Sequence, residues 1–140
     1  VRVLAHLPVS LTCIDSRSEW IDALPGQQGN LEALLRENPA QWIEENTQSN
    51  DEYFVVITQG HATDVPVLEA IFRKFPEPRY VGVIGSETKG IRIKAELRAR
   101  GVSEESLACL QVPIGLPLGG NHPGEIAVSI AAQLLQARDR

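Results

Sequence analysis

The chain contains no methionine among its 140 residues, so it lacks even an initiator, and it opens in mid-pattern with VRVLAHL. That opening reads as the tail of a helix whose beginning is missing. Cysteine is nearly as scarce. Cys13 and Cys109 offer neither metal-ligand spacing nor a disulfide framework. Both read as small hydrophobes buried in strands, and the compartment as reducing and cytoplasmic. A basic surplus is missing too: the formal net charge of -5 and pI of about 5.2 argue against nucleic-acid binding. No apolar run approaches the roughly 18 residues of a membrane span, and no signal peptide opens the chain. Repeats and low-complexity tracts do not occur. There is no Ser-His-Asp order, close carboxylate pair or Cys-x-x-Cys, and His6, His61 and His122 lie too far apart in sequence to imply a metal site. Catalysis by these residues alone therefore has little support.

What is present is ordinary for one globular domain spanning residues 1–140, with 43% hydrophobic and 22% charged residues. The chain is organised around Arg79 to Gly101. Tyr80 to Ile84 is a run of strand formers, Gly85-Ser86 a turn, and a basic segment of helix formers follows. Glycine at a strand end allows close backbone approach to a ligand, and a Ser-capped helix start presents free N–H groups to anions.

The remaining chain repeats this strand-turn-helix unit. Val1 to Leu7 reads as the helix tail ended by Pro8, and Val9 to Ile14 as a strand leading into Asp15-Ser16-Arg17. Glu19 to Gly29 reads as a loop, and Leu31 to Leu35 is ambiguous between a short helix and an irregular link. Asn38-Pro39 starts a helix over Ala40 to Asn46. Tyr53 to Thr58, apolar on both faces, has the character of a central parallel strand. After the turn Gln59-Gly60-His61, Asp64 is expected to cap a helix buried through Val67, Leu68, Ile71 and Phe72. Beyond Ser86 two signals conflict. Ile91, Ile93, Ala95, Leu97 and Ala99 alternate as in a strand, whereas composition and the terminal Gly101 favour a helix. Helix is preferred, because parallel neighbours need a crossover. Ser103 begins a short turn, Ala108 to Val112 a last strand, Pro113 to His122 a loop, and Pro123 the final helix. The order implies one parallel sheet with helices on both faces, its ligand site outside the strand carboxyl ends.

Four loops meet there. Asp15, with Arg17, matches the acid that holds a ribose hydroxyl roughly 20 residues beyond a glycine-rich fingerprint. Only fourteen residues precede it, so the fingerprint strand and glycine loop would lie upstream of residue 1. A polar strand end is the equal alternative. Thr58, Gly60 and His61 place a hydroxyl, a permissive glycine and an imidazole together; His61 is a candidate acid or base, or a hydrogen-bonded loop residue. Gly85 and Ser86 start the basic helix, where Lys89 and Arg92 are placed to meet a phosphate. Gly115 lies in a loop that either folds over a flat ligand or merely connects.

Taken together, Ile14-Asp15-Ser16-Arg17, Thr58-Gln59-Gly60-His61-Ala62, Tyr80-Val81-Gly82-Val83-Ile84-Gly85-Ser86 and the run from Pro113-Ile114-Gly115-Leu116 through Glu125 to Ala132 resemble the XdhC/CoxI proteins. These are accessory factors for xanthine dehydrogenase and related molybdenum hydroxylases, and the resemblance runs from about Val9 to Leu135. It implies an α/β, Rossmann-like three-layer sandwich with a parallel sheet, normally preceded by a separate N-terminal domain. It also implies binding of the molybdenum cofactor (molybdopterin), and support of its sulfuration and its insertion into the target enzyme. The implied partners are a xanthine dehydrogenase-type hydroxylase, a cysteine desulfurase and a second copy in a homodimer. The family's first strand and glycine turn are not found in these residues. The same loops suit the phosphates of NAD(P), so an NAD(P)-dependent oxidoreductase or nucleotide-binding domain is the alternative, and a plain dimerisation domain a third.

Overall fold

The computed structural model describes residues 1–26 and 29–140. The fold is α/β and Rossmann-like: β1 (Leu11–Asp15), α1 (Ser18–Asp22), β2 (Leu31–Leu35), α2 (Pro39–Asn46), β3 (Tyr53–Val56), α3 (His61–Lys74), β4 (Tyr80–Val83), α4 (Glu87–Ala99), α5 (Glu104–Cys109), β5 (Leu110–Gln111) and α6 (Pro123–Arg138). A single 3-10 turn, Leu4–His6, stands where a helix tail is expected. The expected Glu19–Gly29 loop is in part the helix α1, and its residues 27 and 28 lie outside the described residues.

The strands run parallel but form two sheets rather than the one expected, β1-β2 and β3-β4-β5. The ambiguous Leu31–Leu35 is a strand because it pairs along its whole length with Leu11–Asp15. Tertiary pairing there overrides the helix propensity of LEALL. The sequence makes Tyr53–Thr58 the central strand; in the structure it stops at Val56 and lies at an edge, while β4 is central and buried at all four positions. The expected strand over Ala108–Val112 shrinks to two residues, since Ser103 caps α5 by accepting from the Ser106 N–H at 3.2 Å. Cys109 accordingly ends a helix, and both cysteines are only half-buried.

α4 resolves its conflicting signals as a helix. Ile93 and Leu97, four residues apart, are fully buried, while Ile91 is 71% exposed. An alternation read as a strand would have buried all three. α3 and α4 pack over β4 through Leu68, Ile71, Ile93, Leu97, Val81 and Val83, each buried side chain contributing about 1.5–3 kcal/mol. On the other face α6 lays Ile126, Ile130 and Leu134 against Tyr53, Val55, Tyr80 and Ile114. The Tyr80 hydroxyl donates to Gln133 Oε1 at 2.6 Å, and the same Oε1 accepts the Gly115 N–H at 2.8 Å.

Along α2, α3 and α4, side-chain ion pairs and one carboxylate–imidazole contact form a continuous row. Glu44 meets Arg73, Arg73 meets Glu69, Glu69 meets Arg100, Arg100 meets Glu96, and Glu96 meets His61. Exposed pairs of this kind are individually weak; here they link the surfaces of three helices that the core already holds together. Among the described residues no helix is long and apolar enough to cross a membrane.

Candidate functional site at the strand carboxyl ends

Beyond β3 and β4 two helices begin close together. Gly60 precedes α3, and Ser86 caps α4 by accepting the Lys89 N–H at 3.2 Å. Sequence reasoning gives Asp64 the cap of α3, but it lies a full turn inside, and its own N–H donates to the Gly60 carbonyl at 2.9 Å. Its carboxylate is turned inward and is 0% exposed. Oδ1 accepts the Thr58 hydroxyl at 2.7 Å, and Oδ2 lies 2.6 Å from Lys89 Nζ. That second contact is close but poorly directed for a hydrogen bond, so it is chiefly coulombic. Lys89 Nζ also donates to the Ile84 carbonyl at 2.8 Å. One buried charge pair thus ties both loops together.

The consequence for Lys89 is direct. One ammonium proton is held by the Ile84 carbonyl and the charge is balanced by Asp64, so Lys89 acts first as a strut under the Gly85 turn. Gly85 has room only for hydrogen on that side: a Cβ there would sit 2.5 Å from Lys89 Cδ. Arg92, one turn further along α4, is exposed and has no side-chain partner among the described residues. Of Lys89 and Arg92, it alone is unengaged among the described residues.

His61 is engaged by α4. Its Nε2 lies 2.5 Å from Glu96 Oε2, and its Nδ1 is buried without a hydrogen-bond partner. With one nitrogen held by a carboxylate and the other sealed, the ring is poorly placed for proton exchange with a substrate. Glu96 is held below the usual carboxylate range by the His61 hydrogen bond and then by Arg100.

Asp15 and Arg17 form a unit of their own. The guanidinium donates through Nε and Nη2 to the two carboxylate oxygens, each at 2.9 Å, and the Arg17 N–H adds a third bond. Arg17 also lies over the ring of the exposed Trp20, 5.1 Å from its centroid. The Arg17 hydrogen bonds lower the Asp15 pKa from 3.8 despite partial burial. Stability from this pair is therefore present above the unfolded value and lost as pH falls through the folded one. Asp15→Asn is expected to flatten the acid limb of a urea-midpoint profile between about pH 2 and 5; an unchanged limb would rule the pair out as its source.

Gly115 is held by α6. Its N–H and carbonyl are both taken by Gln133, and at φ +98° a Cβ would lie 2.5 Å from Ser129 Oγ. Its role is to dock the loop onto α6. Two shallow grooves run along α2: one of about 360 Å³ is lined by Glu44, Glu69 and Arg73, and the other reaches Arg36, Glu37 and Asn38 just beyond β2; neither is lined by Gly60, Gly85 or Ser86.

Residues 1–134 match the XdhC Rossmann domain. The chain belongs to the XdhC family. A crystal structure of a xanthine dehydrogenase from Bacillus halodurans has the same fold, with a TM-score of 0.75 and 24% identity over 99% of this chain and 38% of that one. A 79-residue stretch is 34% identical to the uncharacterized Escherichia coli K12 protein YqeB, covering 56% of this chain and 15% of that protein. The XdhC domain described here thus spans well under half the length of either.

Sequence reasoning missed Asp64 as the centre of this XdhC domain's strand-end network, and Glu96 and Gln133 as the anchors of His61 and Gly115. The first left a readable trace. Asp64, Leu68 and Ile71 lie on one helical stripe, and Lys89, Ile93 and Leu97 on another, so the two charges face each other across the same core.

Proposed function

We propose that this domain is the Rossmann part of an accessory factor that binds molybdenum cofactor and supports its sulfuration and insertion into a xanthine dehydrogenase-type hydroxylase. The observation that carries the reading is the joined start of α3 and α4, with the exposed Arg92 on the helix that Ser86 caps. Free N–H groups of a helix's first turn and a guanidinium suit a phosphate arm. Glu87 brings one opposing charge to that turn, which makes Arg92 the necessary counterweight.

The donor set agrees with a ligand gripped by its pterin and phosphate rather than its metal. Among the described residues no three His, Cys, Asp or Glu side chains are grouped to hold a metal ion. Burial also raises the pKa of both Cys13 and Cys109, keeping them as thiols. An NAD(P)-dependent oxidoreductase would need a free acid or base, and His61 is engaged by Glu96. The hydroxylase and a cysteine desulfurase are the partners of this reading, and a homodimer its assembly.

The test is to purify the native polypeptide from cells making molybdenum cofactor and assay oxidised-pterin fluorescence. Near-stoichiometric pterin is expected, falling at least about tenfold in Arg92→Glu, where a charge-assisted bond becomes a repulsion. Nicotinamide in place of pterin would overturn the reading.

A further inference from the structure

The clasp at the carboxyl end of β1 has the form of a bound ligand. Arg17 gives Asp15 two side-chain bonds, Nε to Oδ1 and Nη2 to Oδ2, each at 2.9 Å. The same guanidinium lies over the ring of Trp20, 5.1 Å from its centroid, although that indole is 57% exposed. A flat, forked donor thus rests on an aromatic plate and is held by one carboxylate. The fork is open to exchange, since the Arg17 side chain is 28% exposed and that of Asp15 19%. Asp15 also stays aimed without it, because the Arg17 backbone N–H donates to Oδ1 at 2.9 Å. Leu35, the register partner of Asp15, brings a second exposed apolar side chain to the same strand end.

We propose that the Arg17 side chain holds the place of a ligand, and that Asp15 and Trp20 form a site for a heterocycle with a 2-amino-4-oxopyrimidine edge, as in pterins and guanine. That edge presents a ring N–H and an exocyclic amine side by side, the same pair of parallel donors that a guanidinium offers a carboxylate. The ring that carries it is flat and stacks on an indole. Binding exchanges one fork for another on Asp15 and one planar group for another on Trp20, while Arg17 turns out to solvent. This deepens the cofactor reading and rests on it for the choice of pterin over guanine; the edge itself rests on the clasp alone.

Equilibrium dialysis of the intact polypeptide with 6-hydroxymethylpterin, which carries no phosphate, tests the ring site apart from Arg92. Lumazine, in which an oxygen replaces the 2-amino group, is expected to bind at least about tenfold more weakly. Asp15→Asn is expected to weaken the pterin at least about tenfold, and Trp20→Ala at least about fivefold. Arg17→Ala is expected to tighten it severalfold, because the internal competitor is gone and every molecule is then competent to bind. A clasp that only braces the strand end gives no preference for pterin over lumazine and no gain in Arg17→Ala; either result overturns the proposal. Adenosine bound as well as guanosine makes Asp15 a ribose site and overturns it too. Guanosine bound more tightly than the pterin keeps the edge and overturns pterin as its occupant. Nicotinamide copurified with the protein, alongside an intact pterin-over-lumazine preference, overturns the cofactor reading and leaves the edge standing.

Discussion

Asp64→Asn is expected to destabilise the domain by about 3 kcal/mol, the lower end of the cost of breaking a buried ion pair. The substitution keeps the size of the side chain and an acceptor for the Thr58 hydroxyl, so the loss is that of charge. Lys89 is then left with the Ile84 carbonyl alone. Because Lys89 retains 25% exposure, its ammonium can turn partly toward water, and this places the effect at the low end. The measurement is a shift of urea midpoint at unchanged m-value. Replacing both residues by leucine is expected to recover most of the loss, as paired charges exchanged for packed apolar groups often do. A single-variant cost below about 1 kcal/mol would mean that the pair behaves as a surface contact.

Gly115→Ala is the second large effect, and it separates a packing role from a ligand role. The backbone at φ +98° disfavours any side chain, by about 1–2 kcal/mol. The new methyl would also press on Ser129 Oγ, and overpacking of this kind costs about 1–3 kcal/mol. Thermal unfolding of the double variant with Ser129→Gly should recover only the contact component and keep the backbone component. If Gly115→Ala leaves Tm unchanged yet removes pterin, the loop is a ligand lid and its docking through Gln133 is incidental.

The elements with strong local signals were readable from the chain. Asn38-Pro39 and Ser86 start helices where their side chains accept N–H groups, from Gln41 at 3.1 Å and Lys89 at 3.2 Å. Composition outweighed the alternating pattern of α4 because Ile93 and Leu97 also satisfy a helical stripe. What stayed hidden depended on distant partners. LEALL becomes a strand only beside β1, and the five-residue α1 has little local propensity to announce it. The split of the sheet was equally hidden, since YFVVIT has the same composition at an edge as at a centre. At the site, residue types were legible but their allegiances were not. Lys89 and His61 look available in sequence, and each is held by a carboxylate from another helix or turn.

The bond from Tyr80 to Gln133 makes one ring a built-in optical gauge. Burial pushes the Tyr80 phenol up to about 12, so the ring stays un-ionised, and spectrally silent as phenolate, through the ordinary alkaline range while α6 is docked. The chain has only two tyrosines, so a change in Tyr80 phenolate absorbance is read against a small background. The seating of the last helix on the central strand can therefore be followed by light, without a label.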